Sequence, residues 1–300
     1  MIKHFEGKTA VLTGAGSGFG LECARLAARR GMNVVLLDIQ QDSLNAAEAE
    51  IKALGARTLA RKMDVSDSQA MESLAQEVRT VFGAPHFVFN NAGVAAGGLI
   101  WENSVKDWEW VLGVNLWGVI NGVRSFTPMM LEAARQNPAY EGHIVNTASM
   151  AGLLTPPNMG VYNVSKHAVV ALTETLYQDL KLVTEQVSAS VLCPYFVPTG
   201  ISHSERNRPD GAPATAPTAS QRISQAMTEK AVFSGKVTAE EVARKVFDAI
   251  ENDQFYVFSH PKALGNVASR MEAILAIQNP PDPFAERPEI GVNLREALKS

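Results

Sequence analysis

Cysteine is almost missing from this 300-residue chain: Cys23 and Cys193 are its two, and neither belongs to a CxxC pair. Two thiols cannot build a disulfide framework. Long apolar runs are missing as well. No uninterrupted stretch approaches the ~18–20 residues of a membrane span. The start, Met1-Ile2-Lys3-His4-Phe5-Glu6-Gly7-Lys8, lacks the apolar segment of a signal peptide. There is no basic excess: Lys and Arg number 27 against 31 Asp and Glu, a net charge of −4. That balance argues against the clustered positive surface of a non-specific nucleic-acid binder. The six histidines (His4, His86, His143, His167, His203, His260) are scattered without HExxH or paired spacing, so no metal is expected. His167, beside Lys166, points elsewhere on its helix and reads as structural. These absences point to a cytoplasmic protein that engages neither nucleic acid nor membrane.

What is present is an alternation of short β-rich runs with longer helical patterns. Lys8–Thr13, Asn33–Asp38, His86–Asn90, His143–Thr147, Ser188–Cys193 and Phe255–Phe258 read as strands. Arg57–Met63 is a weaker strand because it carries three basic residues. The runs are nearly continuously apolar rather than alternating, as expected when helices cover both faces of a sheet. Helix-length segments such as Asp42–Leu54 and Ser66–Phe82 lie between them. Together they predict an α/β fold with a doubly wound parallel sheet. The pattern breaks from about Thr199 to Gln221, rich in Pro, Gly, Ala, Ser and Thr, with Pro209, Pro213 and Pro217 close together. Such a stretch is either a functional lid or a disordered linker. Thr238-Ala239-Glu240-Glu241 is a capping box that starts a helix. An amphipathic stretch from Leu264 to Ile277 precedes a Pro-broken tail from Asn279.

The first strand runs into Thr13-Gly14-Ala15-Gly16-Ser17-Gly18-Phe19-Gly20 and then an Ala/Leu-rich helix. Glycines there permit a tight turn and close backbone approach to a pyrophosphate, and the helix N-terminus supplies free N–H groups. Asp38 ends the second strand, 18 residues beyond Gly20. A carboxylate at that place accepts hydrogen bonds from ribose hydroxyls and repels a 2′-phosphate. Neither Ser17 nor Ile39 offers the cation NADP would want, so NAD is favoured over NADP. Asp64-Val65 and Asn90-Asn91-Ala92-Gly93 end the third and fourth strands, where ligands of open parallel sheets bind. Asp64 by itself suits an N-cap as well as it suits an adenine contact.

Tyr162 and Lys166 are four apart on a predicted helix and project from one face. An ammonium beside a phenol favours the phenolate, lowering its pKa from ~10 toward neutrality, and a phenol so tuned serves as general acid or base. Ser149, just past the fifth strand, could hold a carbonyl oxygen nearby. The ordered set Thr13-Gly14-x-x-x-Gly18-x-Gly20, Asn90-Asn91-Ala92-Gly93, Asn115, Ser149 and Tyr162-x-x-x-Lys166 resembles the short-chain dehydrogenase/reductase family over about residues 5–260.

That resemblance implies a single Rossmann-fold domain over 1–260 with a lid at about 199–235, and a C-terminal helical extension over 261–300. It also implies that Tyr162 transfers the proton, that Lys166 holds the nicotinamide ribose and tunes Tyr162, and that Ser149 orients the substrate oxygen. Asn115 would anchor a water leading protons to Lys166, Asp64 would contact adenine, and Asn90 would support the cleft. The cofactor-binding set comprises Gly14, Gly16, Ser17, Gly18, Phe19, Gly20, Asp38, Asp64, Val65, Asn91, Ala92, Gly93, Tyr162, Lys166, Pro194, Val197 and Thr199. Two positions depart from the family pattern: Tyr195 stands where a glycine usually follows Pro194, and Phe19 replaces an aliphatic residue. Met150, Asn158, Tyr195 and Phe196 are expected to touch substrate. The expected lining is mostly apolar, and only Arg206 and Arg208 of the lid, read as solvated, offer a cation. The expected substrate is therefore a hydrophobic, uncharged secondary alcohol or ketone. Gly113-Val114-Asn115-Leu116-Trp117-Gly118-Val119-Ile120-Asn121-Gly122 and the long extension resemble bacterial dehydrogenases of lignin-derived aryl ether alcohols. A homotetramer or homodimer is expected, with the extension covering a neighbour's site or changing the assembly. An NADPH-preferring ketoreductase and a catalytically silent cofactor-binding scaffold stay open as alternatives.

Overall fold

Every residue of strands β1 (Thr9–Thr13), β4 (Phe87–Asn90), β5 (Gly142–Thr147) and β6 (Val187–Cys193) is buried. This explains their unbroken apolar runs, because both of their faces lie beneath helices. In this computed structural model, which describes residues 2–209 and 216–299, they form the middle of a seven-stranded sheet. β2 (Asn33–Asp38), β3 (Thr58–Lys62) and β7 (Tyr256–Phe258) complete it. The order is β3-β2-β1-β4-β5-β6-β7, and all pairs are parallel. Strand order reverses between β1 and β4, so the switch-point crevice lies above Thr13 and Asn90. This is the doubly wound parallel sheet that the alternating pattern predicts and the Rossmann fold that the family resemblance implies. β3 gave a weak signal for a physical reason: it is an edge strand, with Arg61 and Lys62 exposed and Leu59 its one buried side chain.

On one face, α1 (Gly18–Arg29), α2 (Gln41–Ala53) and α8 (Ala239–Asn252) pack through Ala24, Leu44, Ile51 and Phe247. On the other, α3 (Ser68–Phe82), α5 (Gly118–Gln136) and α6 (Gly160–Val183) pack through Leu74, Val78, Phe126, Met130 and Leu180. The Thr238 capping box is present: its hydroxyl accepts from the Glu241 N–H, and the Glu241 carboxylate accepts from the Thr238 N–H. α4 (Val105–Leu112) runs into a π-helical turn at Gly113–Trp117 before α5.

The segment expected to lack regular structure is more ordered than its composition suggests. It holds a 3-10 segment at Gly200–Asn207 and α7 (Ala219–Phe233), which begins at a second capping box formed by Thr218 and Gln221. Residues 210–215, with Pro213, lie outside the described residues. The Pro-broken tail is likewise corrected. After α9 (Leu264–Leu275), the chain forms α10 (Pro288–Ala297), with Pro288 in its first turn, where a missing N–H costs nothing. Among the described residues, no helix is long and apolar enough to cross a membrane.

Candidate active site

A cavity of about 1150 Å³ opens above the C-terminal ends of the central strands. Its first wall is the glycine loop. Gly14 and Gly18 have φ of +62° and +53°, where a side chain is strained. A Cβ on Gly14 would also meet the Ala92 Cα at 3.0 Å. Ser17 sits at the N-cap of α1 but makes no side-chain cap bond, and no acid lies in the first turn. The positive helix end therefore faces the cavity uncapped, as an anion such as pyrophosphate requires. Gly14, Ser17, Gly18 and Phe19 line the cavity, whereas Gly16 and Gly20 do not. Gly16 donates its N–H to Asp38 Oδ2 at 2.8 Å, and Gly20 lets α1 approach the loop. A Cβ on Gly20 would lie 2.1 Å from the Gly14 carbonyl oxygen. We expect Gly20→Ala to lower unfolding free energy by about 1–3 kcal/mol, the usual cost of overpacking, read from urea denaturation. An unchanged midpoint would show that the loop yields freely.

Asp38 faces the cavity while accepting from the Gly16 and Gln40 N–H groups, one on each oxygen, at 2.8 and 2.9 Å. Each oxygen keeps a lone pair for a ligand hydroxyl. Asp64 and Val65 also line the cavity. The two roles open for Asp64 now separate, because the N-cap of α3 is Asp67, while Asp64 Oδ1 accepts from Ser66 N and Oγ. Asn91, Ala92 and Gly93 form the next wall, held by Thr13, whose Oγ1 accepts from the Asn91 and Ala92 N–H groups. Asn90 is buried beneath them and donates to Asn146 Oδ1 at 2.8 Å.

Ser149, Tyr162 and Lys166 meet in this cavity. Ser149 starts a 3-10 turn after β5, its Oγ accepting from Ala151 N at 3.1 Å. Tyr162 and Lys166 lie on the first turns of α6, and the Lys166 ammonium is 5.7 Å from the Tyr162 ring centre while donating to the Thr147 carbonyl at 2.9 Å. Burial pushes the Tyr162 phenol above its ordinary value, and its hydrogen bond with Ser149 opposes the shift. Burial lowers the Lys166 ammonium to about 8. The expectation that Lys166 draws the phenol toward neutrality is thus corrected for the chain's own groups: desolvation outweighs any pull from the cation. Asn115 lies behind this cluster rather than in the cavity. Its Oδ1 accepts from Val94 N, and its Nδ2 donates to the Val94 carbonyl and Ser165 Oγ. Both amide hydrogens are committed to these partners.

Pro194, Val197 and Thr199 line the cavity, as do Met150, Tyr195 and Phe196. Tyr195 is not among the residues with left-handed backbone, so no glycine is required there. Its N–H donates to Ser259 Oγ at 2.9 Å. Asn158 is corrected. It does not line the cavity; with φ at +64°, it turns toward α7, donating to the Ser220 carbonyl and accepting from Gly98 N and Ser224 Oγ. It anchors the lid. Arg208 is also corrected: it is not solvated but pairs with Asp107 at 2.6 Å, and its guanidinium lies 4.1 Å from the Trp110 ring centre.

The wall that sequence reasoning missed comes from the C-terminal extension. Asn266, Ser269, Arg270, Ala273 and Ile274 of α9 line the cavity, followed by Gln278 and residues 280–286. Their spacing of three and four is one helix face, which was legible in the Leu264–Ile277 amphipathic pattern without saying what the face meets. The extension reaches its own chain's cavity. Among the described residues, no cluster of His, Cys, Asp or Glu is placed to hold a metal ion.

A dinucleotide-type crevice at the switch point, with a serine, a tyrosine and a lysine converging beside it, defines an oxidoreductase architecture. Residues 8–210 match the family described as short chain dehydrogenase, and the chain belongs to that family. A short-chain dehydrogenase/reductase from Burkholderia phymatum, solved in complex with NAD, is 47% identical. It superposes with a TM-score of 0.91 over 95% of this chain and 100% of that one. A "CLA biosynthesis dehydrogenase/reductase" from Lactiplantibacillus plantarum is 32% identical over 91% of this chain and 95% of its own length. A "C alpha-dehydrogenase" from Sphingobium is 28% identical over 91% of this chain and 87% of its own.

Proposed function

We propose that the protein interconverts a hydrophobic secondary alcohol and its ketone with NAD(H), Tyr162 moving the proton. The observation that carries this is the meeting of Ser149, Tyr162 and Lys166 in the cavity that Asp38 and the glycine loop also line. When bound, a nicotinamide dinucleotide supplies a ring carbon that takes up or gives back hydride. Gly14, Ser17, Gly18 and Phe19, with the uncapped end of α1, would hold its phosphates. Asp38 would hold its adenosine ribose, Asp64 and Val65 would flank its adenine, and Asn91, Ala92, Gly93, Lys166, Pro194, Val197 and Thr199 would hold its nicotinamide half.

Ser149 positions the substrate oxygen against the Tyr162 hydroxyl. Its raised pKa keeps that phenol protonated near neutral pH, the form that donates to a ketone. Oxidation of the alcohol needs the phenolate instead. Met150, Leu154, Met159, Phe196, Ile201 and Val232 make the surroundings apolar and exclude water. The part of the substrate around the carbinol is therefore hydrophobic and uncharged. The lid, latched by Arg208–Asp107 and by Ser204 accepting from Ala95 N, closes one side. Assembly as a homodimer or homotetramer belongs to the same reading and is measured by sedimentation.

The test is a screen of aryl and alicyclic secondary alcohols with both dinucleotides, read by absorbance of the reduced nicotinamide. NAD should be preferred over NADP by at least roughly tenfold in kcat/KM, the effect of ~1.4 kcal/mol of repulsion between Asp38 and a 2′-phosphate. Asp38→Asn should narrow that preference. A strong preference for NADP in the unmodified chain would overturn the assignment.

A further inference from the structure

We infer that Arg270 receives an anionic group, a carboxylate, on the molecule whose carbinol meets Tyr162; this rests on the reading just given. Arg270 is half-buried on the cavity face of α9. It takes part in none of the hydrogen bonds or ion pairs of the described residues. Of the lid arginines, Arg206 is exposed and donates through Nη1 to the Gly200 and His203 carbonyls, Arg208 is paired with Asp107, and Arg222 donates to the Pro217 carbonyl. A guanidinium on a cavity wall with no partner in the chain keeps its donors available to a ligand. Its planar fork matches a carboxylate with two parallel hydrogen bonds. Asn266, Ser269 and Gln278 line the same wall and add polar groups around it.

The anionic group must be separate from the reacting carbon. Arg270 stands on α9 of the extension, whereas Ser149 follows β5 and Tyr162 and Lys166 stand on α6, so they line the cavity from different elements. The cavity has room for this: at about 1150 Å³ it exceeds the ~300–1,000 Å³ typical of a site for one drug-sized ligand. The substrate class that follows is a hydroxy or keto acid, with an apolar body against Met150, Leu154 and Phe196 and its acid at α9. On this inference the uncharged character expected of the substrate is confined to the part around the carbinol.

Asp282 and Glu286 stand on the same wall and are the competing partners. Asp282 Oδ1 accepts from Phe284 N at 2.9 Å, and neither acid forms an ion pair with Arg270. If Arg270 served only to hold that tail by pairing with one of them, its loss would harm every substrate alike.

The experiment compares 5-hydroxyhexanoate, 9-hydroxydecanoate and 13-hydroxytetradecanoate with their methyl esters, and with 1-phenylethanol, in the wild type, Arg270→Gln and Arg270→Lys. In the wild type, the best acid should exceed its own ester in kcat/KM by about tenfold. Arg270→Gln should lose roughly 10- to 100-fold on the acid, the range of a charge-assisted hydrogen bond. The loss should fall mainly in KM, with the ester and 1-phenylethanol unchanged and Arg270→Lys intermediate. Equal use of acid and ester by the wild type, or equal losses on both in Arg270→Gln, overturns the inference while leaving the alcohol dehydrogenase reading intact. If no alcohol is oxidised at all, that reading fails, and calorimetric titration of decanoate against decan-1-ol decides the role of Arg270. Weaker decanoate binding confined to Arg270→Gln supports it. Equal binding by both proteins, or none by the wild type, overturns it.

Discussion

Tyr162→Phe should lower kcat by roughly 10²–10⁴-fold, the contribution of a positioned general acid or base, while NADH binding followed by fluorescence stays within about twofold. The substitution removes one oxygen from a side chain that lies between Ser149 and Lys166 and leaves the ring, so the cavity keeps its shape. The pH profile adds a second reading of the same group. Burial raises the phenol above its ordinary value, so ketone reduction, which uses the protonated form, should hold at neutral pH and fall in the alkaline range. Alcohol oxidation, which uses the phenolate, should rise with pH over that same range. Both limbs should vanish in Tyr162→Phe. Retention of full activity, or an unchanged profile on a slow residual rate, would remove Tyr162 from the proton transfer.

The parts of this fold that were legible in sequence are those where local chemistry and tertiary position agree. β1 is apolar because both of its faces are covered, and its continuation needs glycine at 14 and 18 because the backbone is left-handed there. Tyr162 and Lys166 share a face by helical spacing alone. The illegible parts depend on partners distant in the chain. α7 hides in a Pro-, Ser- and Thr-rich stretch because its serines serve as anchors: Ser220 accepts from Leu99 N, and Ser224 donates to the Asn158 carbonyl. Composition reads such serines as loop, although here they replace an apolar face. Asn158 looked like a polar group for a ligand because a lone asparagine in an apolar run invites that reading, yet its bonds to Ser220 and Ser224 turn it toward α7 instead. The same blindness hid Arg270, since nothing local tells whether a helix face meets its own cavity, a neighbour or solvent. The pKa of Tyr162 could not be read from spacing either, because desolvation depends on everything packed around the phenol.

Folding stability should fall steeply as pH drops from about 6.5 to about 4, ahead of ordinary acid denaturation. Burial lowers His86 and His143 from 6.5 to about 4. Each has a geometric reason to stay neutral. Ser190 donates its hydroxyl to the Gln254 carbonyl, so it accepts from His143 Nε2–H at 2.7 Å, which leaves Nδ1 as the bare, buried nitrogen. His86 Nδ1 accepts from the Thr9 N–H at 3.3 Å, and a proton there would set two donors against each other. Between the two pKa values the unfolded chain binds protons that the folded chain refuses. Stability is therefore complete above 6.5 and is lost at about 1.4 kcal/mol per pH unit for each histidine, about 3 kcal/mol each over the window. The carboxylates act lower. Burial works to raise Asp107, but its hydrogen bonds with Arg208 and Ser104 outweigh that and hold it below 3.8, so its contribution is lost only beneath that value. Urea denaturation of the wild type, His86→Gln and His143→Asn between pH 7.5 and 4.5 separates these effects. Each variant should flatten the slope by about one proton even if it is less stable at neutral pH. A wild-type stability that stays level from 6.5 to 4.5 would mean that both imidazoles charge freely in the folded chain.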